Sequence, residues 1–441
     1  MDGLLWTFLV WVALFVIAAR FRDRSTTISD WFHRESLALV LALLGTYSIA
    51  ARADAAEVIR QPLVVERILR GGLAVAALLI VVPILIKRIG KYTSGHRALG
   101  ALVIYVLISL LSTLYSAAPL VTAAKVLELS AGLAPVAAVA IGPDPGRRLR
   151  NMLLLVMALA GSLVATGVVG FVVLPSVFAG FESRPGFLLR QTLMAPFAHS
   201  NTMAAHGALL SVFGLAAFFT ESLPRVLAVG ASIVGATGVI LSSGRQGVAM
   251  LLAGVAVVLW AQRRTLFLTL LAPAAVGTYV AFQDTIIGAL SRNRPGNFTD
   301  FTGRLYWWEA AIEAWSAHPW TGWGYGAGGR FVGLASIGSG RVSSVHSGFV
   351  EALVGVGLLG LGALLYTLFA VVRWSLKHLT RETALATLII GLVLRTVISQ
   401  GFGGWLNIEF VMFALLAGIA DTHRVEARAT RRAQPDLVTA P

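Results

Sequence analysis

Apolar runs recur along most of the chain, at roughly 3–19, 36–51, 71–89, 98–115, 120–141, 151–174, 201–219, 226–241, 246–260, 265–282, 346–372, 383–400 and 407–420. Short polar or charged segments separate them. A bilayer core about 30 Å thick takes about 20 apolar residues as a helix rising about 1.5 Å per residue. These run lengths therefore predict 12–13 transmembrane helices. In hydrocarbon, every backbone N–H and C=O must be paired within its helix or around a closed barrel. Barrel strands would alternate apolar and polar residues over about ten positions, and no such segment occurs. The pattern predicts an all-α polytopic membrane protein, a single integral membrane domain over 1–441. Its one long extramembrane stretch, 283–345, lies between the tenth and eleventh spans.

Composition agrees with that reading. The chain is 57% hydrophobic and 13% charged, against about 25% charged in soluble domains, which excludes a soluble enzyme or a disordered chain. With no cysteine, disulfides, thiolate metal sites and cysteine nucleophiles are excluded as well. Charge adds a puzzle: 35 basic residues, only four of them lysine, against 21 acidic ones give +14. Such an excess fits nucleic acid, an anionic membrane surface or an anionic substrate, and position has to decide between them.

One set of connections (20–35, 87–97, 143–150, 220–225, 261–264, 373–382 and the C-terminal tail) carries 21 of the basic residues. The alternate set (51–70, 116–119, 175–200, 242–245, 283–345 and 401–406) carries 12, and Lys125 and Arg395 lie inside spans. The positive-inside rule puts the first set in the cytoplasm. The N-terminus is then outside and the C-terminus inside, provided that the first run spans. Basic residues follow that run, at Arg20, Arg22 and Arg24, instead of preceding it, which reads as a retained anchor and not a cleaved signal peptide.

The cytoplasmic arginines need no explanation beyond topology, whereas external cations run against the rule. Four of these lie in 51–70 among Asp54, Glu57 and Glu66, as on a mixed-charge surface helix. The others have few acids nearby. In the long stretch, RLYWWEAAIEAWS (304–316) puts Leu305, Trp308, Ile312 and Trp315 on one helical face. His318-Pro319 ends that helix, and Gly322, Gly324, Gly326, Gly328 and Gly329 predict a flexible turn after it. Tryptophans could simply anchor the helix at the interface, or the helix could roof a cavity open to the outer leaflet. Around it lie Arg292, Arg294, Arg304, Arg330 and Arg341, then His346 at the start of a span. Loop 175–200 adds Arg184, Arg190 and His199, and SSGRQG (242–247) puts Arg245 at the mouth of two spans. Lys125 has Glu128 one turn on and can pair with it, whereas Arg245 and Arg395 have no acid within one turn. Intramembrane cations call for an anionic partner. Arginines suit phosphate, and a lipid-linked diphosphate would reach them where nucleic acid would not.

Four segments resemble one family. TGRLYWWEAAIEAWSAHPWTGWGYGAG (302–328) and VHSGFVEALVGVGLLGLGALL (345–365), with FAHSNTMAA (197–205) and LSSGRQGVAMLL (241–252), resemble the signature of the O-antigen ligase and polymerase superfamily. The chain departs from it at Ser347, where that family has Asn after the histidine. The resemblance implies a GT-C-like helical membrane glycosyltransferase, without metal or other cofactor, in the bacterial inner membrane with its site facing the periplasm. It implies a glycan donor on undecaprenyl diphosphate. The acceptor would be the lipid A core for a ligase, or a second lipid-linked repeat for an O-antigen or exopolysaccharide polymerase. Protein O-oligosaccharyltransferases share the same loop.

Displacing diphosphate from an anomeric carbon requires charge stabilisation on the leaving group and removal of a proton from the attacking hydroxyl. Preorganised cations in a dry site meet the first need. The candidates are Arg190, Arg245, Arg304 and Arg395, with Arg184, Arg292 and Arg294 in reserve. The resemblance assigns the diphosphate to Arg245 and an arginine of the 184–190 loop, of which Arg190 lies nearer the His-x-Asn element. His346, with an unperturbed pKa near 6.5, is the candidate general base, so His346 and Arg245 are the expected catalytic pair. A histidine at a helix start can also be a mere cap, as His318 before Pro319 reads as structural. His199 and Asn201 are expected to position the donor or its loop, and Glu351 to orient an arginine. A transporter of lipid or glycan is the other class; transporters favour internal repeats and midplane sites, and neither pattern appears here.

Overall fold

The structure, a computed structural model, describes residues 33–48, 65–91, 95–180, 192–194, 198–264, 303–339, 342 and 344–433. In chain order its main helices are α1 (Arg34–Ser48), α2 (Val65–Arg88), α3 (Arg97–Leu111), α4 (Pro119–Ala140), α5 (Pro145–Val173), α6 (Ser200–Thr220), α7 (Arg225–Ser242), α8 (Arg245–Ala261), α9 (Arg304–Ser316), α10 (Gly348–Lys377), α11 (Thr383–Ile398) and α12 (Ile408–Ala433). A two-residue antiparallel pair joins Ala179–Gly180 to Thr192–Leu193. Every apolar run within the described residues is a helix. The runs 3–19 and 265–282, and with them the anchor reading of the N-terminus and the rank of the long loop, lie outside those residues.

Among the described residues, seven helices are long and apolar enough to cross a membrane: α2 to α7 and α10. Two shorter apolar ones, α8 and α11, stand beside them. The chain is thus a multi-pass α-helical membrane protein. Helix α6 and the first half of α12 form the centre, where Phe410 to Ala417 are fully buried. The outer helices turn Leu79, Ile86, Val226 and Phe369 outward, as a lipid-facing surface requires.

The described connections of the two charge sets lie at opposite ends of the bundle. At one end Glu35 receives Arg88 (2.7 Å) and Arg148 (3.0 Å), and Arg150 binds Glu382 through two 2.7 Å hydrogen bonds. At the other, the Ala117 N–H donates to the Trp323 carbonyl (3.0 Å) and that of Gly348 to the Ser399 carbonyl (2.7 Å).

The loop after α9 is tied into α10, which breaks at Gly357 (φ 65°, ψ −167°). A helix break in a membrane survives only where its freed backbone groups find new partners. Here the N–H groups of Leu358 and Leu359 donate to the carbonyls of Pro319 and Trp320 (2.9 and 3.3 Å). The carbonyls of Val354 and Gly355 accept from Trp323 and Gly324, both at 2.8 Å. Gly322 (φ 68°) and Gly324 (φ 106°) lie against the α10 backbone and Ser116, with no room for a Cβ. The glycine run is therefore a packed staple and not the flexible turn its composition suggested. A single π-helical turn, Gly328–Gly333, continues it.

Helix α9 has the residues expected, but a different inner face. Ala310 and Ala311 are buried, and Trp307, Trp308, Trp315 and Trp323 pack around Ala311, Leu334, Val345 and Val354. Leu305 and Ile312, expected on that face, are exposed. The tryptophans take the inner stripe because their N–H groups find carbonyls there. Trp315 Nε1 donates to Pro319 (2.9 Å) and Trp323 Nε1 to Ala314 (2.7 Å).

Candidate functional site

His346 sits immediately before α10, held from two sides by its neighbour. The Val345 carbonyl accepts from Trp308 Nε1 (2.9 Å), and the Val345 N–H donates to the buried carboxylate of Glu351. His346 itself is left-handed (φ 55°), a conformation costing a non-glycine residue about 1–2 kcal/mol. Its N–H donates to Ser344 Oγ (3.2 Å), and the Trp307 ring leans on the imidazole with centroids 5.4 Å apart. Ser347 caps α10: its Oγ accepts from the Val350 N–H (3.5 Å). The site thus has a histidine whose backbone is fixed by α9 on one side and α10 on the other.

Arginines surround that ring. Arg304 opens α9 and donates through Nη1 to the Ile398 carbonyl (2.7 Å), capping the C-terminal end of α11. Burial, then the charges of Arg395 and Arg245, hold its pKa down at about 10, so it stays a cation at neutral pH. Burial, then Arg304, Arg395 and His199, push His346 down to about 3. The imidazole is therefore neutral at physiological pH, well away from the value near 6.5 expected for it as an isolated group. Arg245 is the first residue of α8, after Gly244 at the N-cap. These shared electrostatic effects bring Arg245, Arg304, His346, Arg395 and His199, from five separate segments, into one neighbourhood.

Arg395 is not the unpartnered cation that its sequence surroundings suggest. Its Nε donates to Glu409 (3.2 Å), Nη1 to the Asn201 carbonyl (3.3 Å) and Nη2 to Thr202 Oγ1 (3.3 Å). Glu409 also faces His206 Nε2 (3.5 Å), whose ring reaches the Tyr47 hydroxyl (3.4 Å). Tyr47, His206, Arg395 and Glu409 are all buried. This chain of polar groups links α1, α6, α11 and α12 and fixes the first turn of α6 near Arg395. His199 is the N-cap of that helix, its Nδ1 accepting from the Asn201 N–H (3.3 Å). Asn201 meets Arg395 through its backbone carbonyl.

Arg184, Arg190, Arg292 and Arg294 lie outside the described residues. Lys125 pairs with Glu128 (3.3 Å), which also binds Arg70 (2.8 Å), and Lys125 lies over the Trp405 ring, 4.9 Å from its centroid. Glu351 packs against Gly329 and feels the charge of Arg330. The sequence reading missed Glu409, His206 and Trp307, and gave Trp308 only a place on the helix face. A signal exists for the first two, since ionisable residues inside apolar runs call for partners. Nothing in the sequence singles out Trp307 from the other tryptophans. Among the described residues, no three His, Asp or Glu side chains gather as a metal site.

These features define a polytopic helical membrane protein with a cluster of arginines around a histidine at one end of its bundle. Residues 230–365 match the family model Wzy_C, described as O-antigen ligase. The chain is also similar to the "Exopolysaccharide production protein ExoQ" of Rhizobium meliloti (strain 1021), 27% identical over 215 residues. That match covers 43% of this chain and 48% of the relative, about half the length of each. Together they support the O-antigen ligase and polymerase superfamily that the four motifs resemble. The family match contains Arg245, Arg304, His346 and Glu351; His199, Asn201 and Arg395 lie outside it.

Proposed function

We propose that the protein is an O-antigen ligase-type glycosyltransferase of the bacterial inner membrane, independent of metal, that works at the periplasmic face. The donor is a glycan on undecaprenyl diphosphate and the acceptor a sugar of the lipid A core. The observation that carries this reading is the convergence of His346 with Arg245 and Arg304 at the bundle end that charge asymmetry assigns to the outside. The acceptor hydroxyl attacks the anomeric carbon, and the bond from that carbon to the diphosphate oxygen breaks, its electron pair leaving with the diphosphate. His346 takes the hydroxyl proton. Arg245 and Arg304 stabilise the growing negative charge, with the 184–190 arginines and Arg292 joining them. Arg395 has spent one donor on each of three protein partners, so it acts chiefly as the fixed cation behind them, and His199 and Asn201 set the α6 edge.

The low pKa of His346 fits a binding-activated base. A general base works best with a pKa near the working pH, and burial, together with the charges of Arg304 and Arg395, holds the ring well below that. A diphosphate brings negative charge close to Arg304 and Arg395, and nearby negative charge raises an imidazole pKa. Donor binding thus prepares the base that the acceptor needs.

The second reading, a polymerase of O-antigen or exopolysaccharide, is favoured by the name of the relative and uses the same chemistry with a lipid-linked repeat as acceptor. Purified protein given a labelled lipid-linked glycan with either lipid A core or a second lipid-linked repeat separates the two. Elongation of lipid A core supports the ligase; elongation of the repeat alone supports the polymerase. Movement of the donor across the membrane without sugar transfer contradicts both.

A further inference from the structure

At the bundle end opposite His346, a cavity of about 470 Å³ lies between the last turns of α10 and the stretch of α12 from Ala420 to Ala427. Trp374, His378 and His423 line it together, their ring centroids 5.3 to 5.9 Å apart. Three cations line it as well, Arg373, Lys377 and Arg424, against one carboxylate, Glu426.

The charge to spare lies on Arg373 and Lys377. Both are exposed, and among the described residues neither side chain makes an ion pair or a hydrogen bond. Arg424 reaches Asp421 only at 3.6 Å, and the two oxygens of Asp421 already accept the N–H groups of Ala98 (3.1 Å) and Leu99 (2.9 Å). Arg424 Nη1 is buried without a hydrogen bond, and so is the indole Nε1 of Trp374, a residue only 6% exposed.

The surroundings of Arg373 indicate where an anion would come from. Phe369, Arg373 and Leu376, at offsets of four and three, share one face of α10. Phe369 is 63% and Leu376 64% exposed, as side chains turned to lipid are. A long cation set in such a stripe near the end of its helix extends its head into the headgroup layer. Basic pockets between helices at the cytoplasmic face suit anionic headgroups. Topology accounts for a cation somewhere on this side, and the last-turn position of Lys377 suits its helix dipole. Neither accounts for an arginine in a lipid-facing stripe beside a cavity with unsatisfied donors.

We propose that this cavity seats the phosphate of an anionic phospholipid from the leaflet at that end, held by Arg373 and Lys377 with Arg424 and the two imidazoles lining the rest. The site lies apart from His346 and does not depend on glycan transfer.

Native mass spectrometry of the full-length protein, released from neutral detergent with phosphatidylglycerol or phosphatidylcholine, tests it by counting retained lipids. Wild type is expected to retain phosphatidylglycerol in preference to phosphatidylcholine. Arg373→Ala/Lys377→Ala, at two exposed positions, is expected to keep the wild-type melting temperature and to bind phosphatidylglycerol about tenfold or more weakly. Arg225→Ala/Arg264→Ala removes the same charge from other exposed positions in the connections that charge asymmetry assigns to the cytoplasm. This control is expected to retain the lipid as wild type does. Equal weakening in the two double variants makes the attraction a general one and overturns the proposal. Equal retention by wild type and Arg373→Ala/Lys377→Ala, or equal retention of the two lipids by wild type, overturns it as well. Stabilisation of wild type but not of Arg373→Ala/Lys377→Ala by millimolar inorganic phosphate, with no preference for phosphatidylglycerol, would make the occupant a soluble anion and overturn the lipid assignment.

Discussion

Glu409 accepts the Nε–H of Arg395 at 3.2 Å, across the turn between α11 and α12, with both side chains buried. A buried ion pair is weak evidence for net stability, but breaking one strands a charge and costs about 3–5 kcal/mol. Glu409→Ala is therefore expected to lower the apparent melting temperature sharply. Replacing both partners by apolar residues, Arg395→Met with Glu409→Leu, should recover much of that loss. Thermal unfolding of the purified variants checks this, and a double variant no more stable than the single one would contradict it. Both variants should transfer glycan poorly, because the first turn of α6 loses its anchor.

Trp308 acts on His346 through the Val345 carbonyl. Trp308→Phe keeps an aromatic side chain, though a smaller one, and deletes the indole Nε1–H, leaving the Val345 carbonyl without this donor at about 1–3 kcal/mol. The expected outcome is a kcat about tenfold lower with the donor KM little changed, read from initial transfer rates. A variant with unchanged kcat and raised donor KM would instead put Trp308 in the binding surface.

The pH dependence has a defined sign. The folded protein holds His346 at about 3, below the unfolded value near 6.5. Between those values the unfolded chain binds the extra proton, so this group costs stability as pH falls through 6.5 toward 3. His346→Gln should therefore gain stability relative to wild type as pH is lowered from 7 to 4, and show no such gain between pH 7 and 9. In kinetics, kcat/KM reports the free protein and kcat the bound complex. The acid limb of kcat is expected at higher pH than that of kcat/KM, since bound diphosphate raises the histidine pKa. Coincident limbs near pH 6.5 would contradict the binding-activated base.

Gly357 tests the staple. It is the residue where α10 breaks, at φ 65°, and a Cβ there runs into the Trp320 backbone. Gly357→Ala is expected to cost at least about 1–2 kcal/mol from the backbone conformation alone. It should also loosen the loop that carries α9, seen as faster proteolysis between 317 and 347. Unchanged proteolysis and melting would show that the break does not hold the loop.

Much of this fold is legible in the sequence, because a membrane helix announces itself by length and apolar content. The run 120–141 is α4 and 226–241 is α7, with ends a residue or two away. The helix over 304–316 is equally plain, yet of the face that periodicity predicts only Trp308 and Trp315 pack inward. Periodicity weighs Leu305 and Ile312 like any apolar residue, whereas the fold favours tryptophans whose N–H groups meet carbonyls. The α10 break was hidden because Gly357 lies in an apolar run that reads as continuous helix, and its freed groups are met by residues more than thirty positions earlier. Glu409 is not legible as a partner for Arg395, because it lies 14 positions on, beyond the reach of one helical turn. As candidates, His346 and Arg245 stand out in the sequence through the motifs that carry them. The depressed pKa of the histidine is not legible, since it arises from burial in the fold and then from Arg304 and Arg395 on other elements.

The central claim, that His346 and Arg245 serve sugar transfer from a lipid diphosphate, is tested most directly by two variants in one assay. His346→Ala and Arg245→Ala are purified and given labelled undecaprenyl-diphosphate-linked glycan with acceptor. Transfer and donor binding are then measured on the same samples. The account predicts that His346→Ala loses about 10²- to 10⁴-fold in transfer while still binding donor, and that Arg245→Ala loses both. Wild-type rates of glycan joining in both variants would contradict it.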